Sequence, residues 1–249
     1  MIDVHCHLQF KDFDKTREHV IEKAKAALDA VVISGTSPED AKKALALREK
    51  HPDFIYVTLG MHPIYAETGD AEIEEYIRFI RSSREKIAGI GEIGLDYHWV
   101  KEPEKILRMK EVLRRFLALA REMELPAVIH LRNATSEDFD MILSSGAEKM
   151  VFHCWSASKT LAEQVVGAGH LVSIATNIAT SKNTKKAAKS VPLSAILTET
   201  DAPFLGFGKT NVPENVSMVC GEIANLRGMD VNDVKETTTR NAKTVFGIP

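Results

Sequence analysis

Eight short apolar runs, separated by longer amphipathic stretches, recur from one end of this 249-residue chain to the other. They read IDVHCH (2–7), AVVISG (30–35), FIYVTLG (54–60), IAGIGEIG (87–94), PAVIHLR (126–132), KMVFHCW (149–155), HLVSIAT (170–176) and AILTETD (195–201). Each is strand length, rich in Val and Ile, and nearly continuous rather than alternating, as in parallel strands covered on both faces. Helical patterns fill the gaps. Ile106, Met109, Leu113, Phe116, Leu117, Ala120 and Met123 share one helical face that stops at Leu125-Pro126. A second helix is expected after Pro38 and a third after Glu72, with Ile73, Tyr76, Ile77 and Ile80 turned inward. Two more are expected near 213–226 and 231–246, with Asp230 placed to cap the last. Eight strands alternating with helices point to an α/β fold closed as a (β/α)8 TIM barrel. An open doubly wound sheet is the rival, and no Gly-rich dinucleotide fingerprint supports it. The length suits one barrel of about 250 residues. No linker, repeat or low-complexity stretch interrupts the chain, so a single domain over 1–249 is expected.

The side chains able to hold a metal fall at one end of these runs. His5 and His7 close the first run, Glu92 the fourth, His130 the fifth, His153 the sixth and Asp201 the eighth. In a barrel those ends converge on the C-terminal rim, where such folds build their active sites. His5 and His7 share a strand face because side chains alternate with period two. Glu92 sits inside an apolar run, where a carboxylate is costly unless it is paired or bound to a cation. Singly, each histidine reads as an ordinary core or capping residue. Six such residues on one rim do not. They exceed the three protein ligands of a single catalytic zinc, so two divalent cations sharing a carboxylate are expected. Four imidazoles and two carboxylates suit Zn²⁺, Mn²⁺, Fe²⁺ or Mg²⁺ without choosing among them. With one hydroxide added, two divalent cations and two carboxylates leave a formal charge of about +1, which suits a phosphate.

The net charge of −3 argues against broad electrostatic capture of nucleic acid or membrane. Three cysteines without paired spacing point to reduced thiols in a cytosol. Cys6 and Cys154 each neighbour a proposed ligand histidine, so strand parity points both toward the helix layer. The start MIDVHCHL lacks a basic stretch followed by an apolar one, and no apolar run reaches the roughly 20 residues of a spanning helix. The expectation is a cytoplasmic enzyme with no membrane contact and no obligate protein partner.

HCH near the start, GMHP (60–63), GEIGLDY (91–97), HLRNA (130–134), FHCWSAS (152–158), TETDAP (198–203) and TTRNAKTVF (238–246) together resemble the signatures of TatD-type deoxyribonucleases. The match runs in order over essentially the whole chain. The resemblance implies an amidohydrolase-like barrel and metal-dependent DNA hydrolysis. It also implies His5, His7, Glu92 and Asp201 around one metal, and Glu92, His130 and His153 around the other. The chain departs from that pattern at Trp155 and Ala157, where Phe and Gly are usual. It departs again at Lys209, Asn211 and Pro213, where a more basic stretch is usual.

His62, Arg132 and Trp155 are candidate substrate contacts, Arg132 as a clamp on phosphate and Trp155, like Trp99, as a stacking platform for bases. Phe204 and Phe207 stand on a third rim loop. Lys182, Lys185, Lys186 and Lys189 read as a solvated helix face. Three functions remain open. The first is an exonuclease acting on DNA ends, single-stranded or frayed, with Asp201 and Glu92 catalytic and Asp201 taking the proton from water. The second is amidohydrolase-type hydrolysis of a cyclic amide, ester or lactone at the same centre. The third is a scaffold that binds metal or a partner without turnover. Loss of Arg132 separates the first two, since it would impair phosphodiester cleavage and spare a neutral substrate.

Overall fold

In a computed structural model that describes residues 1–249, the eight apolar runs become eight parallel strands of one sheet, hydrogen-bonded in sequence order. They are β1 (Ile2–Cys6), β2 (Ala30–Gly35), β3 (Ile55–Leu59), β4 (Gly89–Asp96), β5 (Ala127–Arg132), β6 (Met150–Phe152), β7 (Leu171–Ile174) and β8 (Ile196–Thr198). The sheet closes beyond the end of β8. Asp201 N donates to His5 O at 2.9 Å, His7 N donates to Ala202 O at 2.7 Å, and Cys6 pairs with Ala202 in a parallel bridge. Closure leaves no open sheet edge and brings the end of β8 beside β1.

Nine helices surround the sheet: α1 (Arg17–Ala27), α2 (Pro38–Lys50), α3 (Asp70–Ser82), α4 (Pro103–Met123), α5 (Ser136–Leu143), α6 (Lys159–Gly167), α7 (Lys182–Ser190), α8 (Val216–Arg227) and α9 (Val231–Phe246). Their starts follow local chemistry. Pro38 occupies the first turn of α2, where its missing N–H costs nothing, and the Ser37 side chain accepts from Asp40 N. Asp230 caps α9 by accepting from Asn232 N, as expected. The 213–215 segment, expected as helix, is a separate 3₁₀ turn ahead of α8.

Two apolar clusters hold the layers together. One of 58 buried residues packs strands against helices. The other, of 12, includes Ile2, Val4, Val32, Val128, Val151 and Leu197, with Val245, Phe246 and Ile248 at the end of α9. Period-two continuation carries this second set upward, from Val128 to His130, from Val151 to His153, and from Leu197 to Glu199. The barrel therefore has an apolar floor and a polar top within the same strands. At Gly94 the polar top requires glycine, because a Cβ there would lie 1.8 Å from His130 O. The bare backbone lets β4 run against β5 at the level of the site.

Candidate metal centre

All six residues expected at the rim converge on one cluster of donors, and all but the fully buried His5 line a single cavity. Glu92 stands between two groups of nitrogen donors. Its Oε2 lies 3.4 Å from His5 Nε2 and 3.6 Å from His7 Nε2. Its Oε1 lies 2.7 Å from His130 Nδ1 and 3.0 Å from His153 Nε2. Asp201 Oδ1 joins the first group, 3.8 Å from His5 Nε2 and 3.5 Å from His7 Nε2. Asp201 takes a left-handed backbone (φ +59°), a conformation that Asp tolerates better than most residues.

The outer ring nitrogens orient the inner ones. His7 Nδ1 donates to Ser34 O at 2.9 Å, and His5 Nδ1 lies 3.2 Å from Ser34 Oγ. His153 Nδ1 rests 3.3 Å from Glu199 Oε1, and His130 Nε2 rests 3.3 Å from Asp96 Oδ2. The two carboxylates are themselves held by backbone. Glu199 Oε1 accepts from Cys154 N at 2.8 Å, and Asp96 Oδ1 accepts from His98 N and Trp99 N at 2.8 and 3.2 Å. With the outer nitrogen protonated, each ring turns a bare lone pair inward, which is the arrangement of imidazoles that ligate metals.

The donor set fits divalent cations. Bonds of about 2.0–2.1 Å give donor-to-donor edges of roughly 3.3 Å in a tetrahedron and roughly 2.9 Å in an octahedron. The edges from the His5 and His7 nitrogens to each other, to Glu92 and to Asp201 run from 3.2 to 3.8 Å, and those around His130, His153 and Glu92 from 2.7 to 3.0 Å. Lone pairs and carboxylate oxygens this close repel unless a positive charge sits among them. Burial works to raise the Glu92 pKa, but His153, His62 and His130 hold it well below the usual carboxylate range. Burial works to lower His153, yet Glu92 and Glu199 hold it well above an ordinary imidazole. Burial lowers His5, whereas at His7, His130 and His153 neighbouring carboxylates outweigh burial and raise the pKa, so cation binding at these three competes with protons.

Above the donors opens a cavity of about 660 Å³, lined among others by His62, Arg132, Asn177, Trp99, Phe10 and Phe204. His62 Nδ1 accepts from Ile64 N at 3.3 Å, so its proton sits on Nε2, 3.6 Å from Glu92 Oε1. Burial pushes the His62 pKa down to about 4, which leaves a neutral N–H donor aimed at the cavity. Arg132 is exposed on the cavity wall and forms no ion pair.

A TatD-related DNase family model matches residues 2–247. The chain belongs to that family. A metal-dependent hydrolase of Methanocaldococcus jannaschii is 38% identical over 98% of this chain and 96% of its own. The 3′-5′ ssDNA/RNA exonuclease TatD of Erwinia tasmaniensis is 30% identical, with both chains covered in full. Among solved structures, the TatD homologue YjjV of Escherichia coli K12 superposes with a TM-score of 0.91 at 27% identity, covering 100% of this chain and 98% of that one. This TatD-family chain is a metal-dependent hydrolase of the (β/α)8-barrel class, and no helix in it is long and apolar enough to cross a membrane.

Three expectations require correction. Glu92 lies mid-strand in β4 rather than at its end, and β4 continues to Asp96. Cys154 does not point to the helix layer. β6 stops at Phe152, Cys154 takes a left-handed backbone (φ +47°), and its thiol meets Asn177 Nδ2 at 3.8 Å on the cavity wall. Cys6 does lie opposite His5 and His7, in the outer cluster, although a register shift between Asp3 and Cys6 sets it on the other side from Ile2 and Val4. Trp155 is not a stacking platform: it is 3% exposed, packs edge-on against Phe139 and Phe152, and donates from Nε1 to Ala157 O. Trp99, 67% exposed on the cavity wall, is the tryptophan available to a ligand.

The two tryptophans therefore separate by measurement. Trp155→Ala should cost about 3–5 kcal/mol of stability through the cavity left in the core, read as a lower denaturant midpoint. Trp99→Ala should leave that midpoint in place and weaken binding of a single-stranded oligonucleotide by about 1–3 kcal/mol. The opposite pairing would show the assignment to be wrong.

The motif reading did not single out Phe10, Ser34 or Asp3. Phe10 stacks on His7 with ring centroids 4.6 Å apart. Ser34 fixes both His5 and His7, and its hydroxyl meets Thr58 Oγ1 at 2.9 Å. Asp3 Oδ1 accepts from Thr200 N at 2.9 Å and its other oxygen from the Thr200 hydroxyl, which ties β1 to the turn that carries Asp201. A signal existed for Asp3 alone, as an acid inside an apolar strand.

Proposed function

We propose that this chain is a phosphodiesterase that removes nucleotides from the ends of single-stranded or frayed DNA, using two divalent cations that share Glu92. The observation that carries the reading is the splitting of one buried carboxylate between two donor groups, Oε2 toward His5 and His7 and Oε1 toward His130 and His153. His5, His7, Glu92 and Asp201 would hold one cation, and Glu92, His130 and His153 the other. When bound, the pair supplies Lewis-acid polarisation of the phosphate and lowers the pKa of a water near neutrality.

The chain's own residues do the rest. Asp201, exposed to the cavity and ionised, accepts the proton of the attacking water at a carboxylate oxygen. Burial tends to raise its pKa, but His7, His153 and His5 bring it below the ordinary carboxylate value, so the oxygen is free to accept near pH 7. His62 offers its Nε2–H to a non-bridging phosphate oxygen, and the Arg132 guanidinium holds a second in its planar fork. Phe10, Trp99 and Phe204 give ring faces on which a terminal base stacks without its sequence being read. A 3′ to 5′ direction follows the family resemblance and the activity of the Erwinia relative.

A covalently closed single-stranded circle tests the requirement for an end. Metal-loaded protein should shorten the linear strand stepwise and leave the circle intact over the same period. Equal loss of circle and linear strand would replace the exonuclease reading with an endonuclease one. If neither is degraded, and a cyclic ester or amide is hydrolysed instead, the amidohydrolase alternative stands.

A further inference from the structure

Between Glu163 and Glu199 the chain contains no acidic residue, although it is acidic as a whole. Within that stretch α7 carries Lys182, Lys185, Lys186 and Lys189. Their i, i+3, i+4, i+7 spacing places all four ammonium groups on one helical stripe. Thr184, Ala187 and Ala188 form the opposite, buried face. Several lysines elsewhere pair with acids, among them Lys43 with Glu39 at 2.7 Å, Lys86 with Glu49 at 2.7 Å and Lys110 with Asp138 at 2.7 Å; what sets α7 apart is four lysines on one helical stripe with no such partner. The α7 lysines have no ion pair at all. The acid on the adjoining α6, Glu163, is taken by Lys159 at 3.3 Å, and the acids of the α8 side, Glu214 and Glu222, make no ion pair with α7.

The stripe begins at the mouth of the cavity. Asn183 Nδ2 donates to Ser156 O at 3.1 Å, and Thr184 Oγ1 donates to Trp155 O at 2.7 Å. Ser156, Cys154, Asn177 and Arg132 all line the cavity. Unpaired positive charge thus lies both on the cavity wall, at Arg132, and on the face of α7 that starts beside Ser156. The lysine stripe itself extends about 10 Å at 1.5 Å per residue.

We propose that this face of α7 is a track for the phosphate backbone of single-stranded nucleic acid whose end lies in the metal centre. The proposal rests on the nuclease reading above and adds the path of the uncleaved strand. Four lysines without an ion-pair partner attract polyanion and carry no base information, so the track is indifferent to sequence. Its length fits two to three successive phosphates of a flexible strand. A dinucleotide, seated wholly in the cavity, is too short to reach it.

The test compares wild type with the Lys182→Gln, Lys185→Gln, Lys186→Gln, Lys189→Gln variant on a dithymidine dinucleotide and on an oligothymidylate of about 20 nucleotides. Binding of the labelled oligonucleotide is followed by fluorescence anisotropy between about 50 and 200 mM salt. Each lost phosphate contact reduces the log–log salt slope by about 0.7, so the variant should show a slope shallower by about 1.4–2.1. The gain in kcat/KM from dinucleotide to long strand should shrink at least about fivefold, and the corresponding four-arginine variant should restore it. All four side chains are at the surface, and an unchanged melting midpoint verifies that the fold persists. If the glutamine variant keeps both the wild-type slope and the wild-type length gain, the stripe is a solvated helix face and the track does not exist. If metal-loaded wild type hydrolyses neither substrate, the nuclease reading fails, while the salt slopes still decide whether α7 binds the strand.

Discussion

Changing Glu92 to glutamine is expected to release both cations and lower phosphodiester turnover by at least about a thousandfold. The magnitude follows from what the cations contribute. Charge stabilisation by a metal pair amounts to several kcal/mol, and each 1.4 kcal/mol is a factor of about ten in rate. The side chain is 3% exposed and its two oxygens face different donor groups. An amide keeps one acceptor oxygen but turns two N–H protons toward imidazole lone pairs or a cation. One group loses a ligand and the other meets a repulsive donor. Metal analysis after gel filtration, beside a turnover assay with added Mn²⁺, measures both effects. Retention of two cations per chain together with more than a tenth of the activity would remove Glu92 from its bridging role.

The second large effect concerns Asp201. Asp201→Asn preserves the shape of the side chain while removing its charge and its capacity to accept a proton. General-base catalysis of this kind contributes about 10²–10⁴-fold, and a drop of that size in kcat is expected. Metal content should fall less than in Glu92→Gln, because His5, His7 and Glu92 still surround the first position and the second group does not include Asp201. The discriminating observation is the combination: low kcat with substantial metal. Full activity would exclude Asp201 as both base and required ligand. Loss of all metal with loss of activity would make it a ligand only.

The barrel was legible because parallel strands buried on both faces leave uninterrupted apolar runs, and because eight such runs alternate with helical periodicity. The clustering of His5, His7, Glu92, His130, His153 and Asp201 was legible for a related reason. Each lies at or near the end of a run, and barrel geometry converts that one-dimensional position into a shared place. What could not be read was the exact depth of each residue. β6 and β8 are only three residues long, so His153, Cys154 and Asp201 lie past their strands. Period-two reasoning failed at Cys154 because its left-handed backbone ends the strand geometry on which that reasoning depends. Trp155 illustrates a different limit. Its place beside a ligand suggested a rim contact, but its ring found Phe139 and Phe152, and only packing decides that. The lysines of α7 illustrate the converse, since their pattern was plain while their lack of acidic partners is a property of the folded surface.

Anomalous X-ray scattering from crystals of the Mn²⁺- or Zn²⁺-loaded protein tests the shared carboxylate most directly. Two peaks are expected, about 3.5–4 Å apart, one within bonding distance of Glu92 Oε2, His5, His7 and Asp201 and the other of Glu92 Oε1, His130 and His153. A single peak, or two peaks without Glu92 between them, would contradict the account.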